Sequence, residues 1–394
     1  MRATRPQPGR TPWPNLPSKL VANLLAGHSA IGLVFGALIY LVCLTGTIAV
    51  FVDEVKLIEA PSPAVTTVAT GAMNTALDEA IRLSGGASKA PYTFIMAPTT
   101  PRQRWTVLVG DRTWRMDSTG GLTRVRTPWS DFITNLHMTL LLPEPWGSAA
   151  VGLIGVALLS LIVSGVLAHP RILRDAFSLR LGGSKRLQEA DLHNRLSVWG
   201  LPFHLAVTFS GAFFGLFYLM LTLVAALGFH GDIGRAGQVL QGAEVASDPT
   251  PQSLVRLDNI VAKARRFRPG SSLSYIEVER PGTRGARISV EVTAARRLPR
   301  GEQVFFNNQG YLIGRGRFES GPLGLQAYSS AAQVHFGFFG GLPVRIAYGL
   351  LGAALTYISA TGVTIYLTRR RGRGRPAPSL ERAWAAWTLS LIHI

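Results

Sequence analysis

Four stretches of the chain, Ser29 to Val52, Gly147 to Ala168, Leu196 to Phe229 and Val344 to Leu367, stay apolar on every face. Each reaches the ~20 residues that a helix needs to cross about 30 Å of hydrocarbon. Helices at the surface of a soluble core keep a polar stripe, and these do not. Two long polar segments separate them, and there the pattern changes. Ala76, Leu77, Ala80 and Ile81 form a stripe that predicts a helix over Met73 to Leu83, closed by Ser84-Gly85-Gly86. Strand-like runs follow at Tyr92 to Met96, Trp105 to Val109 and Thr113 to Met116, with turns at Pro98 to Arg102, Gly110-Asp111 and Thr119-Gly120-Gly121. The second polar segment repeats the order. Thr250-Pro251 predicts a helix start, Leu254, Leu257, Ile260, Val261 and Ala264 its buried stripe, and Ser274 to Glu279, Arg287 to Val292, Gln303 to Asn307 and Tyr311 to Gly314 its strands. A helix followed by antiparallel strands, twice, predicts two small α+β modules.

Histidines mark the same duplication. His28 lies eighteen positions before Thr45-Gly46, and His193 eighteen before Ser210-Gly211. His137 and His335 precede apolar runs in which Gly152 and Gly165, and Gly349 and Gly362, are thirteen apart. The expected architecture is therefore a membrane α-helical protein of four transmembrane helices, built from two fused repeats with two periplasmic α+β modules. Its parts are a basic leader (1–27), a first span (28–52), module 1 (53–136), a lead-in helix with the second span (137–168), and a basic loop (169–192). A third span (193–229), module 2 (230–334), a lead-in helix with the fourth span (335–368) and a basic tail (369–394) complete it.

Composition agrees, with 47% hydrophobic and only 16% charged residues. The formal charge of +18 raises a nucleic-acid reading. The basic residues abut span ends, however, and no helix-turn-helix, zinc-finger or RNA-recognition pattern accompanies them, so nucleic acid is not an expected partner. Arg2, Arg5, Arg10 and Lys19, then Arg171, Arg174, Arg180, Lys185 and Arg186, then Arg369, Arg370, Arg371, Arg373 and Arg375 mark three flanks as cytoplasmic. Both termini then lie inside a bacterial inner membrane and both polar segments in the periplasm. The first span reads as an uncleaved anchor. Cys43 is the one cysteine, which excludes a disulfide framework, a zinc knuckle and covalent haem attachment. The tail after Arg382 neither continues a module nor forms a fifth span.

Gly27-His28 through Thr45-Gly46 and Asp53-Glu54, Leu136-His137, Asp191-Leu192-His193, His335-Phe336-Gly337 and Gly340-Gly341-Leu342-Pro343 carry a resemblance. From about Asn23 to Arg371 the chain resembles the PepSY-associated transmembrane-helix family. That resemblance implies an iron-regulated inner-membrane protein, and in some members a di-haem reductase of ferric siderophores. Two b-type haems, a ferric siderophore and a cytoplasmic or quinol electron donor are the partners it implies, besides the lipid bilayer.

Duplicated histidines on membrane helices can meet in pairs and hold a haem iron from both sides. The pairs expected are His28 with His193 near the cytoplasmic surface and His137 with His335 near the periplasmic one. The plain alternative for each is an interfacial imidazole bonded to headgroups. His204 lies eleven residues beyond His193, about 16 Å along a helix. It is a further candidate ligand, or else a neutral histidine bonded inside the bundle near Pro202. His169 rivals the inner ligands, or caps its helix. The glycines of the spans either let helices approach or flank a macrocycle. Trp105, Trp114, Trp129, Trp146 and Tyr328, with Arg102, Arg104, Arg112, Arg115 and Arg126, form a candidate outer surface for a chelated ferric ion, although strand packing explains the first two tryptophans as well. No G-x-G-x-x-G after a strand, P-loop, H-E-x-x-H or serine-triad signature is present, so electrons are expected to come from a separate donor and protease chemistry is not expected. The alternatives to a reductase are a non-redox accessory of siderophore or metal uptake and an electron-transfer subunit for another protein.

Overall fold

The computed structural model describes residues 16–99, 103–169, 185–241, 245–293, 298–299 and 301–392. The basic leader up to residue 15, Arg102, the loop arginines Arg171, Arg174 and Arg180, and His393 lie outside the described residues. The chain divides into two compact units, one of residues 1–47, 136–215 and 349–394, the other of residues 48–135 and 216–348.

The second unit is organised by an antiparallel sheet. Helix α2 (Val52–Glu59) leads to α3 (Ala72–Ser84) and strands β1 (Tyr92–Met96), β2 (Trp105–Val109), β3 (Arg112–Met116) and β4 (Leu122–Val125). Its later part holds α8 (Phe217–Gly228), α9 (Ile233–Gln241), α10 (Leu257–Arg266), β5 (Ser272–Glu279), β6 (Arg287–Thr293), β7 (Glu302–Asn307), β8 (Leu312–Arg315) and α11 (Leu323–Phe336). The strand order is β4-β3-β2-β1-β5-β6-β7-β8. Two separate modules were expected, whereas one eight-stranded sheet is found. The seam is β1 against β5, running from Tyr92 opposite Glu279 to Met96 opposite Tyr275. A free β1 edge would leave a row of unpaired amides and carbonyls, and β5 satisfies them. One core follows from one sheet. Ile95, Val107, Trp114, Ile276, Ile288 and Val290 on the strands meet Ala76, Leu77 and Ala80 of α3 and Leu257, Ile260 and Ala264 of α10. Asn74 ties the two helices, donating to the Val255 carbonyl at 3.1 Å and accepting from the Leu257 amide at 2.8 Å.

Three expectations within this unit shift. The second helix starts at Leu257 rather than Thr250, because Pro251 pairs as an extended bridge with Thr283. Strand β4 was not anticipated. Its signal was Asp117, whose carboxylate accepts the amides of Thr119 and Gly121 at 2.8 Å and folds the turn into β4. Trp105 and Trp114 are core residues, 7% and 3% exposed, so they do not belong to an outer binding surface. Arg104 and Arg112 are also engaged, bonding the carbonyls of Pro63 and Leu83.

The helical unit contains α1 (Ser18–Ala49), α5 (Trp146–Ala168), α6 (Lys185–Trp199), α7 (Leu201–Gly215), α12 (Gly341–Gly372) and α13 (Pro378–Ile392), with α4 (Pro128–Thr139) entering it at Leu136. α1, α5 and α12 are long and apolar enough to cross a membrane, and α6 with α7 makes a fourth if the pair, bent by 72°, is one span. The third apolar stretch is therefore not the single helix expected over residues 193–229. It breaks between Trp199 and Leu201, where Pro202 has no amide to donate backwards, and again at Leu216. α8 is 12 residues long, about 18 Å, and is too short to span alone. The helix bearing His193 also begins at Lys185, inside the segment expected to be loop. α1 begins ten residues before His28, at Ser18.

Small residues set the close approaches. A methyl on Gly215 would come within 2.5 Å of Gly152, and one on Gly155 within 3.0 Å of Ala212, so α5 and α7 touch nearly backbone to backbone. The tail forms a further helix. α13 packs on α1 and α12, with Trp384 edge-on to Tyr40 and its indole donating to Thr364, while the Trp387 indole donates to the Ala37 carbonyl at 3.2 Å.

Candidate functional site

His28 of α1 points Nδ1 at α5, 3.1 Å from the Leu161 carbonyl oxygen and 3.1 Å from Ser164 Oγ. A carbonyl only accepts, so Nδ1 carries the proton. A neutral imidazole has one, and the lone pair is consequently on Nε2. The ring lies over Gly165, where an added methyl would stand 3.1 Å from Cε1.

His193 of α6 repeats this on α12. Its Nδ1 is 3.1 Å from Thr361 Oγ1, and the Ile358 backbone carbonyl accepts from the ring. Its Cε1 lies 3.5 Å from the position of a methyl on Gly362. His137 of α4 takes the third such seat, on α1, with Nδ1 3.0 Å from the Val42 carbonyl and its ring over Gly46. In all three the carbonyl belongs to the residue three before a Ser or Thr, and the ring covers the glycine after it. Leu161, Ser164 and Gly165 correspond to Ile358, Thr361 and Gly362, and to Val42, Thr45 and Gly46.

The remaining histidines differ. His204 is buried at 2% exposure, and Nε2 rather than Nδ1 faces a carbonyl, that of Leu351 at 3.4 Å. Gly200 leaves room for its ring, since a methyl there would collide with it. His169 caps the end of α5, and its buried Nδ1 has no hydrogen-bond partner among the described residues. His335 stands in the last turn of α11, edge-on to Phe336 at 5.2 Å. His137 and His335 fall in different compact units. A cleft of about 290 Å³ opens beside His28, lined by Leu20, Asn23, Leu24 and Ile31 of α1 and Ser160 and Ser164 of α5.

Imidazoles fixed through Nδ1, with the Nε2 lone pair kept and a glycine beneath the ring, suit the axial positions of a haem. The residues present fit that group. The profile of the PepSY-associated TM region matches residues 25–369. The chain belongs to this family. The matched residues of this PepSY-associated TM protein include His28, His137, His193, His204 and His335 and stop before α13. A Pseudomonas aeruginosa relative, the uncharacterized protein PA4219, is 29% identical over 256 residues, which is 62% of this chain and 64% of that protein.

The Ser/Thr-Gly pairs were visible in the sequence, but only as landmarks on the helix that also carried a histidine. Three of them, Thr45-Gly46, Ser164-Gly165 and Thr361-Gly362, seat a histidine of another helix. The available signal was the pairing of a hydroxyl residue with glycine at four places in the apolar stretches, Thr45-Gly46, Ser164-Gly165, Ser210-Gly211 and Thr361-Gly362, alongside four duplicated histidines.

Outside the spans, Glu59 anchors the helix that delivers His137. Its carboxylate accepts the amides of Trp129 at 2.8 Å and Ser130 at 3.0 Å, together with the Ser130 hydroxyl. This is a helix start capped from a distance, and acid there suits the dipole. Desolvation works to raise its pKa, yet these hydrogen bonds and Lys56 hold the carboxyl below its ordinary range. Arg345, in the first turns of α12, forms a two-pronged ion pair with Glu54 and also donates to the Val50 carbonyl at 2.6 Å.

Proposed function

We propose that this protein is an inner-membrane di-haem b protein that carries electrons from a cytoplasmic or quinol donor to a periplasmic ferric siderophore. The observation that supports it best is the common setting of His28 and His193, each held through Nδ1 with its Nε2 lone pair kept. Bound haem would supply one-electron chemistry whose potential is tuned by its axial ligands and by burial. His28 and His193 hold one haem in this reading. His137 and His335 hold the other, which rests on the duplicated order of the sequence. His204 and His169 are the lesser candidates, since neither shares the Nδ1 setting. The reading includes four spans, with α6 and α7 as one bent span, two fused repeats, both termini inside and the sheet outside.

A reduced-minus-oxidised absorbance spectrum of the purified protein tests it, with two b-type haems per polypeptide expected and none refuting it. Ferric siderophore should oxidise the pre-reduced protein, and His335→Ala should abolish that while the inner haem stays reducible. Oxidation of the variant at the wild-type rate would remove the outer pair as the exit. A second reading, a non-redox accessory of siderophore or metal uptake, rests on the sheet unit folding around a core of its own. A chain without haem that still binds such a partner would select it. Wild-type haem that no ferric chelate oxidises would select an electron-transfer subunit.

A further inference from the structure

Serine and threonine are poor residues for the middle of a helix unless the hydroxyl has work there. Ser164 Oγ donates to the Ser160 carbonyl at 2.6 Å, and Thr361 Oγ1 to the Tyr357 carbonyl at 2.8 Å. With the hydroxyl hydrogen so directed, the oxygen that faces the ring offers a lone pair. It can only accept from His28 or His193.

We infer that Ser164 and Thr361 are positioning residues, whose hydroxyls join the Leu161 and Ile358 carbonyls in accepting the Nδ1 proton and so fix His28 and His193 as Nε2 ligands. This rests on the haem reading for what Nε2 would bind. Two neighbours in the same unit act as internal comparisons. At the third seat, the Thr45 hydroxyl bonds back to the carbonyls of Leu41 at 2.8 Å and Val42 at 3.2 Å, as Ser164 and Thr361 do on their own helices, and His137 Nδ1 again faces the helix, 3.0 Å from the Val42 carbonyl. At His204 the facing carbonyl is that of Leu351, and the residue three further on is Ala354, so no hydroxyl is present and the opposite nitrogen faces the helix. Orientation of the imidazole tracks the hydroxyl across the four rings. A ring whose Nδ1–H is given to two acceptors is also a more basic ligand.

The test compares Ser164→Ala and Thr361→Val with the conservative Ser164→Thr and Thr361→Ser in the purified full chain. Thr361→Val keeps shape and removes the hydroxyl. The expected result is a fall of about tenfold to a hundredfold in haem affinity at the inner site for the hydroxyl-free variants. Their midpoint potential should shift upward, and both properties should return in the conservative variants. Haem affinity and potential unchanged in Ser164→Ala and Thr361→Val would overturn the inference while leaving the haem reading intact. Nitrogen-15 spectra of labelled histidine give a readout that needs no haem. Protonated Nδ1 on His28 and His193 in a chain that takes up no haem would uphold the seat and refute the haem reading. Protonated Nε2 would overturn the seat itself.

Discussion

An alanine in place of each seat glycine perturbs the three histidines by amounts that the structure ranks in advance. At Gly46 the new methyl would lie 2.6 Å from His137 Cε1 and 3.0 Å from Nδ1, at Gly165 3.1 Å from His28 Cε1, and at Gly362 3.5 Å from His193 Cε1. Carbon atoms rest at about 3.5–4.0 Å, so the first overlap is on the order of 1 Å, the second a few tenths, and the third nil. Overpacking of the first kind costs about 1–3 kcal/mol or pushes the ring off its carbonyl. Since ~1.4 kcal/mol is a factor of ten, Gly46→Ala should weaken haem binding at the site of His137 by about tenfold to a hundredfold. Gly165→Ala should lose less than tenfold and Gly362→Ala should stay near wild type. The assay is titration of haem-depleted protein with haem, followed by absorbance, with thermal unfolding in detergent as a check that each variant folds. If Gly362→Ala is the most damaging of the three, or if all three lose haem equally, the rings are not seated as described.

Four further outcomes are expected. Glu59→Gln should lower the melting temperature at neutral pH; because the folded pKa of Glu59 is depressed, its contribution is present above the unfolded carboxylate range and is lost as pH falls through the lowered value, so the gap from wild type should close below about pH 4. Ile276→Ala, at a position with 0% exposure, should cost about 2–5 kcal/mol and expose β1 to β4 to protease along with β5 to β8, whereas independent modules would leave the first four strands protected. Trp384→Ala should lower thermal stability, since its indole fills a place on Tyr40, Val363 and Leu367, and an unchanged melting curve would mean that α13 does not dock in the membrane. Reporter fusions at Gly120 and Gly282 should both read outside; an inside reading at either one removes the topology inferred from arginine and lysine placement.

Strands with clean alternation were legible in the sequence nearly to the residue, as with Tyr92–Met96 and Trp105–Val109. So was the apolar stripe of α3. What alternation cannot express is which edge pairs with which, so the seam between β1 and β5 stayed hidden and two modules were expected. The bend at Gly200 was half legible, through Pro202, but the two helices together are apolar enough to read as one span, so hydropathy does not mark the break. For the site, residue types and duplication singled out the histidines, while the helix partners of His28, His137 and His193 lie 95 to 168 positions away. No local pattern encodes that separation. The docking of the tail was not legible for a related reason, as its tryptophans find partners only once α1 and α12 are in place.

Joining the two four-strand halves through their first strands leaves a sheet with two outer edges, β4 and β8, of four residues each. Halves made apart would instead present β1 and β5, five and eight residues long, to any neighbouring chain. Short edges resist adventitious pairing and long ones invite it. Covalent linkage also turns what would be a concentration-dependent association into an internal one, so the sheet forms at any expression level. A gene split between residues 126 and 271 is therefore expected to give two fragments that either find each other or aggregate.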